Sequence, residues 1–546
     1  MKKSCVAMTL LSTFLIVSGC GYGLNQTPDS QMQAINTKFD SSKSDDASST
    51  CYEVFVRSFW DSNEDGVGDI KGLTEKLDYI NDGNPKTRED LGCDSIWLMP
   101  ICPSPSYHKY DVTDYMDIDP EYGTMEDFDA FVSEAHKRNI SVILDTVLNH
   151  TSDSHPWFVK AKEYLQNTKP EDIDVAACPE VDYYHFTTDK QDGYEPLAGT
   201  PYYYEARFWS GMPDLNLDNE KVREEIKSVI AFWTEHGADG FRLDAVTSYY
   251  TGDNAKNIEF LTFVQSVAKS CNPDAYLVGE CWANSSTYSK YYASGVDSFF
   301  DFDFADGSGI IADVTRGSGK ISKYGYACEK IGECIQENGY PYAVDAPFYT
   351  NHDMNRSAGY YTKDDGRKVK FAQGLNLLMS GRAFLYYGEE LGMKGSGKDE
   401  NKRAPMYWSK ETQTGMCTPP PNMDQFEMKF DSLEEQKKDP YSIYEYVRQA
   451  ITLRQTHPAI RSGSCTYVEK ISGGKLCVLI KKTENEQVMI VINSGNEPLS
   501  TSLSDVMDTP EKAYISGVLQ VDEQEILFED STITLPPYGI AVISDF

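Results

Sequence analysis

Basic residues and long apolar runs are both scarce in this sequence. Lys and Arg total 50 against 85 Asp and Glu, so the formal net charge is −35 over 546 residues. A surface of this sign repels nucleic acid and anionic lipid, and we therefore expect no nucleic-acid partner. No internal stretch is long and apolar enough to span a membrane. A neutral partner would meet no such electrostatic penalty.

The 13 cysteines show neither the CxxC or His/Cys spacing of a zinc site nor the dense, even-numbered pattern of a disulfide framework. Cys328 and Cys334 lie close enough in sequence to pair, but the sequence alone leaves that pairing open. We expect most of the other cysteines to be small buried side chains.

The first residues have the order of an export signal. Lys2 and Lys3 precede an apolar run over 6–17, and small residues follow it, which predicts a signal peptide over 1–19. Residues 17–20 read Val-Ser-Gly-Cys and resemble a bacterial lipobox. Cys20 would then be the lipidated first residue of the mature protein. A plain signal peptide with a coincidental cysteine is the alternative.

Residues 20–50 are rich in Ser, Asp, Gln and Thr and have little apolar surface to bury. We interpret them as a flexible tether, lipid-anchored through Cys20. The resulting expectation is an exported, bacterial cell-surface or membrane-anchored lipoprotein, with the lipid as its one contact with the membrane.

Beyond the tether, short apolar runs alternate with amphipathic helical patterns, such as Met125, Phe128 and Val132 at helical spacing. Runs that each lead into a helix predict an α/β fold, a (β/α)8 TIM barrel. By pattern alone, a doubly wound open sheet is the alternative. The apolar runs are Tyr52–Val56, Ser95–Met99, Ser141–Val147, Gly240–Asp244, Ala275–Gly279, Ser298–Phe302, Ala346–Thr350 and Phe384–Tyr387.

The chain is long enough for more than one domain. We assign 51–150 and 213–463 to the barrel. The intervening 151–212, after the third strand, is too long for a structureless loop and is predicted to be an inserted subdomain B. Its aromatic residues suit either a ligand platform or a small core. Residues 464–546 show strand patterns without helices, which predicts a C-terminal all-β domain of the sandwich type.

Carboxylates follow several predicted strands directly. The fourth run ends at Asp244, the fifth is followed by Glu280, and the seventh runs into His352 and Asp353. Taken singly, each acid could be a loop charge or a helix N-cap. Together they fall at the carboxyl-terminal mouth of the barrel, where active sites of this fold lie. Their joint placement favours a catalytic site built on carboxylates.

The stretches that carry these acids resemble glycoside hydrolase family 13, the α-amylase family, in both order and spacing. The resemblance covers nearly everything from Cys51 to the C-terminus. The matching stretches are DTVLNH (145–150), GFRLDA (240–245), GECW (279–282) and TNHD (350–353), supported by HKYDVTDY (108–115), MPDLN (212–216), YYGEE (386–390) and RAPM (403–406).

The resemblance implies that Asp244 is the nucleophile, Glu280 the general acid/base and Asp353 the stabiliser of the transition state. Retaining hydrolysis needs one carboxylate to attack the anomeric carbon and a second carboxyl, about 5–5.5 Å away, to protonate the leaving oxygen. Arg242 lies two residues before Asp244 on one strand, points to the same side and would keep that carboxylate ionised. Apolar neighbours such as Trp282 would raise the pKa of Glu280.

Further residues are implied to bind the sugar that is cleaved. His150 and His352 resemble the family's hydroxyl-binding histidines, and Tyr110, with Asp111 beside it, resembles its stacking tyrosine. Arg403 resembles a sugar-binding arginine of oligosaccharide-cleaving members, and we place Arg242 in the same substrate-contacting set. The alternatives are structural histidines, a core tyrosine and a solvated arginine.

Departures from the family pattern bear on the substrate. Thr247 and Ser248 stand where many α-amylases have Lys and His. We therefore expect weaker or different sugar binding on the leaving-group side, and a second calcium site between barrel and insertion is doubtful. Ala245 follows the nucleophile as in members that cut α-1,4 bonds. The MPDLN stretch resembles the group intermediate between oligo-1,6-glucosidases and neopullulanases.

We therefore expect an α-amylase that hydrolyses α-1,4 bonds of starch and maltooligosaccharides in endo fashion, acting as a monomer. An exo-acting α-glucosidase or neopullulanase-like enzyme on short α-glucans is the alternative. A non-catalytic glucan-binding surface protein is a further alternative, although such a protein would be expected to lack one of the three carboxylates. Transglycosylation through the same intermediate stays open.

The loop over 61–69 alternates oxygen-bearing side chains and has glycine at its turn, as calcium loops do. By resemblance to oligo-1,6-glucosidase-like members, we expect a structural Ca²⁺, and an empty acidic turn is the alternative. The expected ligands are the side chains of Asp61, Asn63, Asp65 and Asp69 and the carbonyl of Val67.

Overall fold

A computed structural model describes residues 50–84, 86–87, 89–338, 343–362 and 365–546. The predicted signal peptide, Cys20 and the tether up to residue 49 lie outside the described residues. Within the described ranges, no helix combines the length and the apolar character needed to cross a membrane.

Seven parallel strands form a curved sheet in the order β7-β1-β2-β3-β4-β5-β6. Single parallel bridges join Phe300 to Ala346 and Phe348 to Phe384, so the predicted 346–350 run closes the gap between β6 and β7. The predicted (β/α)8 barrel is confirmed and the open sheet is excluded. The strands are β1 Thr50–Val54, β2 Ser95–Leu98, β3 Ser141–Thr146, β4 Gly240–Leu243, β5 Tyr276–Gly279, β6 Ser298–Phe299 and β7 Ala383–Tyr386.

Helices follow the barrel strands, and several begin at a side-chain cap. Met125–Lys137 starts at a capping box of Thr124 and Asp127, and Asn219 caps Glu220–Glu235. The helices are α1 Ile70–Glu75, α2 Leu77–Ile80, α3 Met125–Lys137, α4 Pro156–Asn167, α5 Glu220–Glu235, α6 Asn254–Cys271, α7 Ser285–Tyr288, α8 Ile310–Arg316, α9 Ile321–Asn338, α10 Gly366–Leu377, α11 Asp399–Lys402, α12 Leu433–Gln436, α13 Ile443–Thr456 and α14 Pro458–Ser462. Short 3-10 turns occupy Val56–Ser58, Pro170–Asp172, Pro179–Tyr183, Ser289–Ser294, Ser357–Tyr360, Glu389–Leu391 and Ser504–Val506.

The connection between β3 and α5 carries α4 and a small antiparallel sheet, as the predicted insertion requires. Tyr203–Glu205 lies at its centre, between Phe186–Thr187 and Tyr194–Pro196. The insertion's tyrosines at 183, 184, 202 and 204 are buried, so they form its core, whereas Trp209 is 51% exposed. The exact bounds of the insertion stay a prediction.

The C-terminal region is all-β, as predicted. One antiparallel sheet has the order β8-β9-β10-β15-β12 and a second has the order β11-β14-β13. The strands are β8 Ser464–Tyr467, β9 Leu476–Lys482, β10 Gln487–Asn493, β11 Leu499–Ser502, β12 Tyr514–Leu519, β13 Leu527–Glu529, β14 Thr532–Leu535 and β15 Ile540–Ser544. Buried aliphatic residues of both sheets, such as Val491 and Ile533, share one core. No disulfide joins cysteines within the described ranges, so the pairing of Cys328 with Cys334 that the sequence left open does not form.

Candidate active site

Arg242 is the centre of the carboxylates at the mouth of the barrel. It is fully buried on β4, and its Nη1 donates to Asp244 at 2.6 Å and to Asp145 at 2.9 Å. Its Nη2 lies 3.0 Å from Oε1 of Glu280. Because β3, β4 and β5 are parallel neighbours, their carboxyl ends place the three acids around one guanidinium. The predicted nucleophile and the predicted acid therefore share one cation.

Glu280 has the environment of a proton donor. The side chain is 6% exposed, and burial raises its pKa to about 7, with Asp244 and Asp353 adding to the rise and Arg242 opposing it. The backbone N–H of Ala245 donates to Oε2 at 3.0 Å. Burial is the largest cause of the rise, and the predicted apolar neighbour Trp282 is itself 55% exposed.

The backbone turns sharply after Asp244. Ala245 has φ of 46°, which few residues other than glycine adopt. This conformation brings its N–H to the carboxylate of Glu280 directly after the predicted nucleophile. Strain of this kind concentrates where a fold positions reacting groups.

Asp353 is held between two cations. His352 Nε2 lies 3.0 Å from Oδ2 and Arg403 Nη2 lies 3.0 Å from Oδ1. Burial alone would raise the pKa of Asp353, but His352 and Arg403 lower it well below its usual range. The two cations thus favour the ionised form of Asp353, as a stabiliser of positive charge requires. Arg403 is itself fixed by Tyr107, to whose hydroxyl Nη1 donates at 3.0 Å.

Tyr110 presents its ring beside His352. The two rings are stacked with centroids 5.5 Å apart, and the Tyr110 hydroxyl donates to Asp145 at 2.9 Å. Burial raises the pKa of Asp145 to about 6, with Arg242 opposing the rise. Half-buried Tyr110 thus has a fixed ring orientation, which suits a surface for the apolar face of a pyranose.

His150 keeps one nitrogen unused. The residue is 2% exposed and its Nε2 has no hydrogen-bond partner in the described part of the chain. Burial lowers its pKa, so the ring is neutral near pH 7. The exposed ring of Phe208 packs against it with centroids 5.2 Å apart. An unpartnered nitrogen in this position is available to a ligand hydroxyl.

Asp111 is bound by hydroxyls of its own loop. It is buried and accepts hydrogen bonds from the hydroxyls of Ser104, at 2.7 Å, and Ser106 on its own loop. These bonds shape the loop that presents Tyr110.

In the predicted calcium loop, several carboxylate oxygens already accept hydrogen bonds from backbone amides. Asp61 accepts from the amides of Glu64 and Gly66 at 2.7 and 2.6 Å, and Asp69 caps α1 through Gly72 at 2.7 Å. No group of three or more His, Cys, Asp or Glu among the described residues is gathered so as to hold a metal ion.

The donor types of this loop still suit a hard cation. Asp61, Asp65 and Asp69 form no ion pair with any described residue, and Asn63 and the Val67 carbonyl add neutral oxygens. Calcium binding therefore stays a prediction.

Two acids of the site were missed in the sequence. Glu53, on β1, lies 2.6 Å from Nδ1 of His352, and Asp145 was quoted in a motif without a role. The one available signal for Glu53 was a charged residue inside an apolar strand, which is costly to bury unless it is paired.

Comparisons with known proteins agree with this geometry. Residues 53–463 match the family model described as alpha amylase, catalytic domain. Alpha-amylase 3 of Dictyoglomus thermophilum is 38% identical over 501 residues, covering 90% of this chain and 92% of that protein. A probable oligo-1,6-glucosidase 3 of Bacillus subtilis is 28% identical over 564 residues, covering 87% and 97%.

A solved structure is similar over the same length. Amy13B of Eubacterium rectale has a TM-score of 0.89 and 45% identity, and the match covers 94% of this chain and 99% of that one. The family model spans well over half of the sequence and covers the barrel with its insertion. This chain is a member of glycoside hydrolase family 13, the α-amylase family.

Proposed function

We propose that this enzyme is a retaining α-amylase that cleaves internal α-1,4-glucosidic bonds of starch and maltodextrins. The observation that carries the proposal is the single Arg242 guanidinium, which contacts Asp244 at 2.6 Å and Glu280 at 3.0 Å while the pKa of Glu280 stands near 7. A nucleophile and a proton donor are thereby held side by side, as a double displacement requires.

The proposed reaction has two steps. Asp244 attacks the anomeric carbon while Glu280 gives its proton to the departing glycosidic oxygen, which breaks that bond and leaves a covalent glycosyl–enzyme. Glu280, now a carboxylate, then takes a proton from water as the water oxygen attacks the anomeric carbon and releases Asp244. Asp353 stabilises the positive charge that develops on the sugar ring in both steps.

Other side chains would bind the sugar at the cleavage point. The free nitrogen of His150 suits a sugar hydroxyl, and the Tyr110 ring suits the C–H face of a pyranose. His352 and Arg403 already hold Asp353, so they would act on the sugar through it. Asp111 would act through the loop of Tyr110 rather than by touching sugar.

Exposed aromatic rings beside the site support action on chains of several glucose units. Trp282, two residues after Glu280, is 55% exposed and stacks on Phe302 with centroids 4.9 Å apart. Phe208 is 49% exposed against His150, with Trp209 next to it. Flat open rings of this kind suit the apolar faces of neighbouring sugars. The resemblance to a probable oligo-1,6-glucosidase supports the second candidate, an exo-acting or neopullulanase-like enzyme on short α-glucans.

The product profile of the purified enzyme on soluble starch, maltotriose and panose tests the proposal, with Asp244→Asn as the inactive control. We expect mixed maltooligosaccharides early, with fast loss of iodine staining. Glucose or maltose alone, or cleavage of the α-1,6 bond of panose, would favour the second candidate. No product from any of the three would favour a glucan-binding surface protein.

We also propose a structural Ca²⁺ in the 61–69 loop, supported by three carboxylates and an amide within nine residues of sequence. A melting scan with and without a chelator tests it, alongside Asp65→Asn and a control at exposed Asp274→Asn. Calcium should raise the Tm of the wild type and of the control, and less so that of Asp65→Asn. An unchanged Tm on calcium removal would contradict a structural site.

Export as a lipoprotein anchored through Cys20 is likewise proposed, on the tetrad at 17–20. Labelled palmitate should enter the wild-type chain in bacteria, and Cys20→Ala should lose the label and leave the membrane fraction. Label retained in Cys20→Ala would contradict the assignment.

A further inference from the structure

Glu53 is a buried acid that the proposed reaction does not use. It lies on β1 beneath the site and is 1% exposed. Its Oε1 lies 2.6 Å from Nδ1 of fully buried His352. A carboxylate is costly to bury in a barrel interior, so its position opposite an imidazole requires an explanation.

The other nitrogen of His352 also faces a carboxylate. Nε2 lies 3.0 Å from Oδ2 of Asp353 and 2.7 Å from the hydroxyl of Tyr110, whose own proton is donated to Asp145. A neutral imidazole carries one N–H donor and one lone pair. With Glu53 and Asp353 both ionised, only the imidazolium can donate to a carboxylate on each side, so this geometry favours the cation.

The remaining charged groups near this ring are of both signs. Arg242 on β4 acts on Glu53, and Arg403 donates from Nε to the backbone carbonyl of His352 at 3.3 Å. Asp145 faces the ring through Tyr110. Two carboxylates in direct contact outweigh these more distant cations.

The electrostatics agree with the geometry. Burial alone would lower the pKa of His352, but Asp353 and Glu53 raise it to about 9. Burial raises the pKa of Glu53, while His352 and Arg242 act to lower it. With Glu53 removed, one of the two anions that hold the proton on His352 would be gone.

We propose that Glu53 is a positioning residue that keeps His352 doubly protonated and, through His352, keeps Asp353 ionised and aimed at the sugar ring. The consequence for the reaction rests on the proposed function, because Asp353 is there the stabiliser of the transition state. The chain of contacts runs from β1 to Asp353 through one imidazolium ring.

Two substitutions separate charge from hydrogen bonding. Glu53→Gln keeps the size and one acceptor oxygen but removes the charge, whereas Glu53→Leu removes both. Glu163→Gln, at an exposed position on α4, is the matched control. Circular dichroism melts show whether each variant is folded.

The first readout is the titration of His352 by NMR of the whole chain labelled at histidine Cε1. Only eight histidines are present, and His352→Asn identifies the signal. In the wild type the ring should stay protonated through neutral pH. In Glu53→Gln its titration should move down by about one pH unit or more, which corresponds to tenfold or more in the protonation equilibrium.

The second readout is kinetic. Glu53→Gln should lower kcat on maltopentaose by about tenfold or more with a smaller change in KM, because the loss acts on the transition state. Glu163→Gln should match the wild type in both readouts.

Two results would overturn the inference. One is a wild-type His352 that titrates near an ordinary histidine value, and the other is a Glu53→Gln enzyme with wild-type titration and kinetics. Wild-type behaviour of Glu53→Gln together with an impaired Glu53→Leu would mean that Glu53 acts only as a hydrogen-bond acceptor and that its charge is not needed. The NMR titration needs no substrate. An enzyme inactive on every α-glucan would therefore refute the proposed function and leave the test of Glu53 in force.

Discussion

Arg242 donates a 2.6 Å hydrogen bond to Asp244, two residues further along the same strand end. The alternation of side chains along a strand puts i and i+2 on one side, so the sequence itself makes this contact local. The same guanidinium reaches Glu280 on the next strand at 3.0 Å. It opposes the effect of burial on Glu280 and so leaves that pKa near 7 rather than higher.

Replacing Arg242 by Lys should therefore disable catalysis. An ammonium on a flexible stem cannot contact Asp145, Asp244 and Glu280 in the planar arrangement of a guanidinium. We expect kcat/KM on maltopentaose to fall by about 10²-fold or more, on the order of 3 kcal/mol of transition-state stabilisation. Arg207→Lys, at a partly exposed ion pair with Glu205, is the control. Equal activity of the two variants would contradict a central role for Arg242.

The pH dependence should report Glu280. Its acid form is required in the free enzyme, and a pKa near 7 keeps that form present up to neutral pH. We expect kcat/KM to decline as the pH rises through about 7. Glu280→Gln should lose about 10²- to 10⁴-fold on maltooligosaccharides and lose this alkaline decline. An aryl maltoside with a good leaving group should be much less affected in bond cleavage. If kcat/KM of Glu280→Gln still declined as the pH rose through about 7, the decline would belong to another group.

Asp301 should make the protein less stable as the pH rises. Burial raises its pKa to about 7, with Asp303 adding to the rise, against about 3.9 in the unfolded chain. The folded state thus binds more protons between these values, and stability falls as the pH rises through this window. Asp301→Asn mimics the protonated acid and should raise Tm at pH 8 by more than at pH 5.

The matched control for that measurement is Asp274→Asn, at an exposed position. It should change Tm little at either pH. A lower Tm for Asp301→Asn at pH 8 would mean that the ionised carboxylate stabilises the fold.

Trp282 should matter for long substrates rather than for stability. Its ring is 55% exposed and stacks on Phe302, so little apolar area is lost from the core on truncation. Trp282→Ala should raise KM for maltoheptaose by about 5- to 10-fold, roughly 1 kcal/mol of stacking, and leave Tm within about two degrees. Tyr326→Ala, also exposed but in α9, is the control. An unchanged KM for maltoheptaose would mean that the bound glucan does not contact Trp282.

Periodicity predicted alternating strands and helices but left an open sheet as the alternative. The resemblance to the α-amylase family was needed to choose the barrel and to assign roles to Asp244, Glu280 and Asp353. The fourth apolar run, predicted over 240–244, is the strand Gly240–Leu243. This agreement was possible because the pattern of a strand is a local property of its sequence. The closing segment was harder, because Ala346 and Phe348 form single bridges rather than a ladder. Their pairing depends on Phe300 and Phe384, which periodicity does not connect.

The contacts of Glu53 and Trp282 could not be predicted for a different reason. A charged residue in an apolar strand signals a partner, but not that the partner is His352, 299 positions later. Trp282 was predicted as an apolar neighbour of Glu280, and its ring stacks on Phe302, which the sequence did not indicate. Side-chain direction after a strand depends on the loop, which hydrophobic spacing does not describe.

Two single bridges, at Ala346 and Phe348, close the barrel through 346–350, and this seam has fewer pairings than the ladder between β4 and β5. Asp244 and Glu280 stand at the ends of strands with continuous ladders, whereas Asp353 follows the seam. Amide hydrogens of 346–350 should exchange with solvent sooner than those of β4 and β5, because fewer hydrogen bonds must break for local opening. Local opening of 346–350 would leave intact the ladder that joins the strands before Asp244 and Glu280. Asp353 would then keep its place through His352 and Arg403 rather than through the sheet.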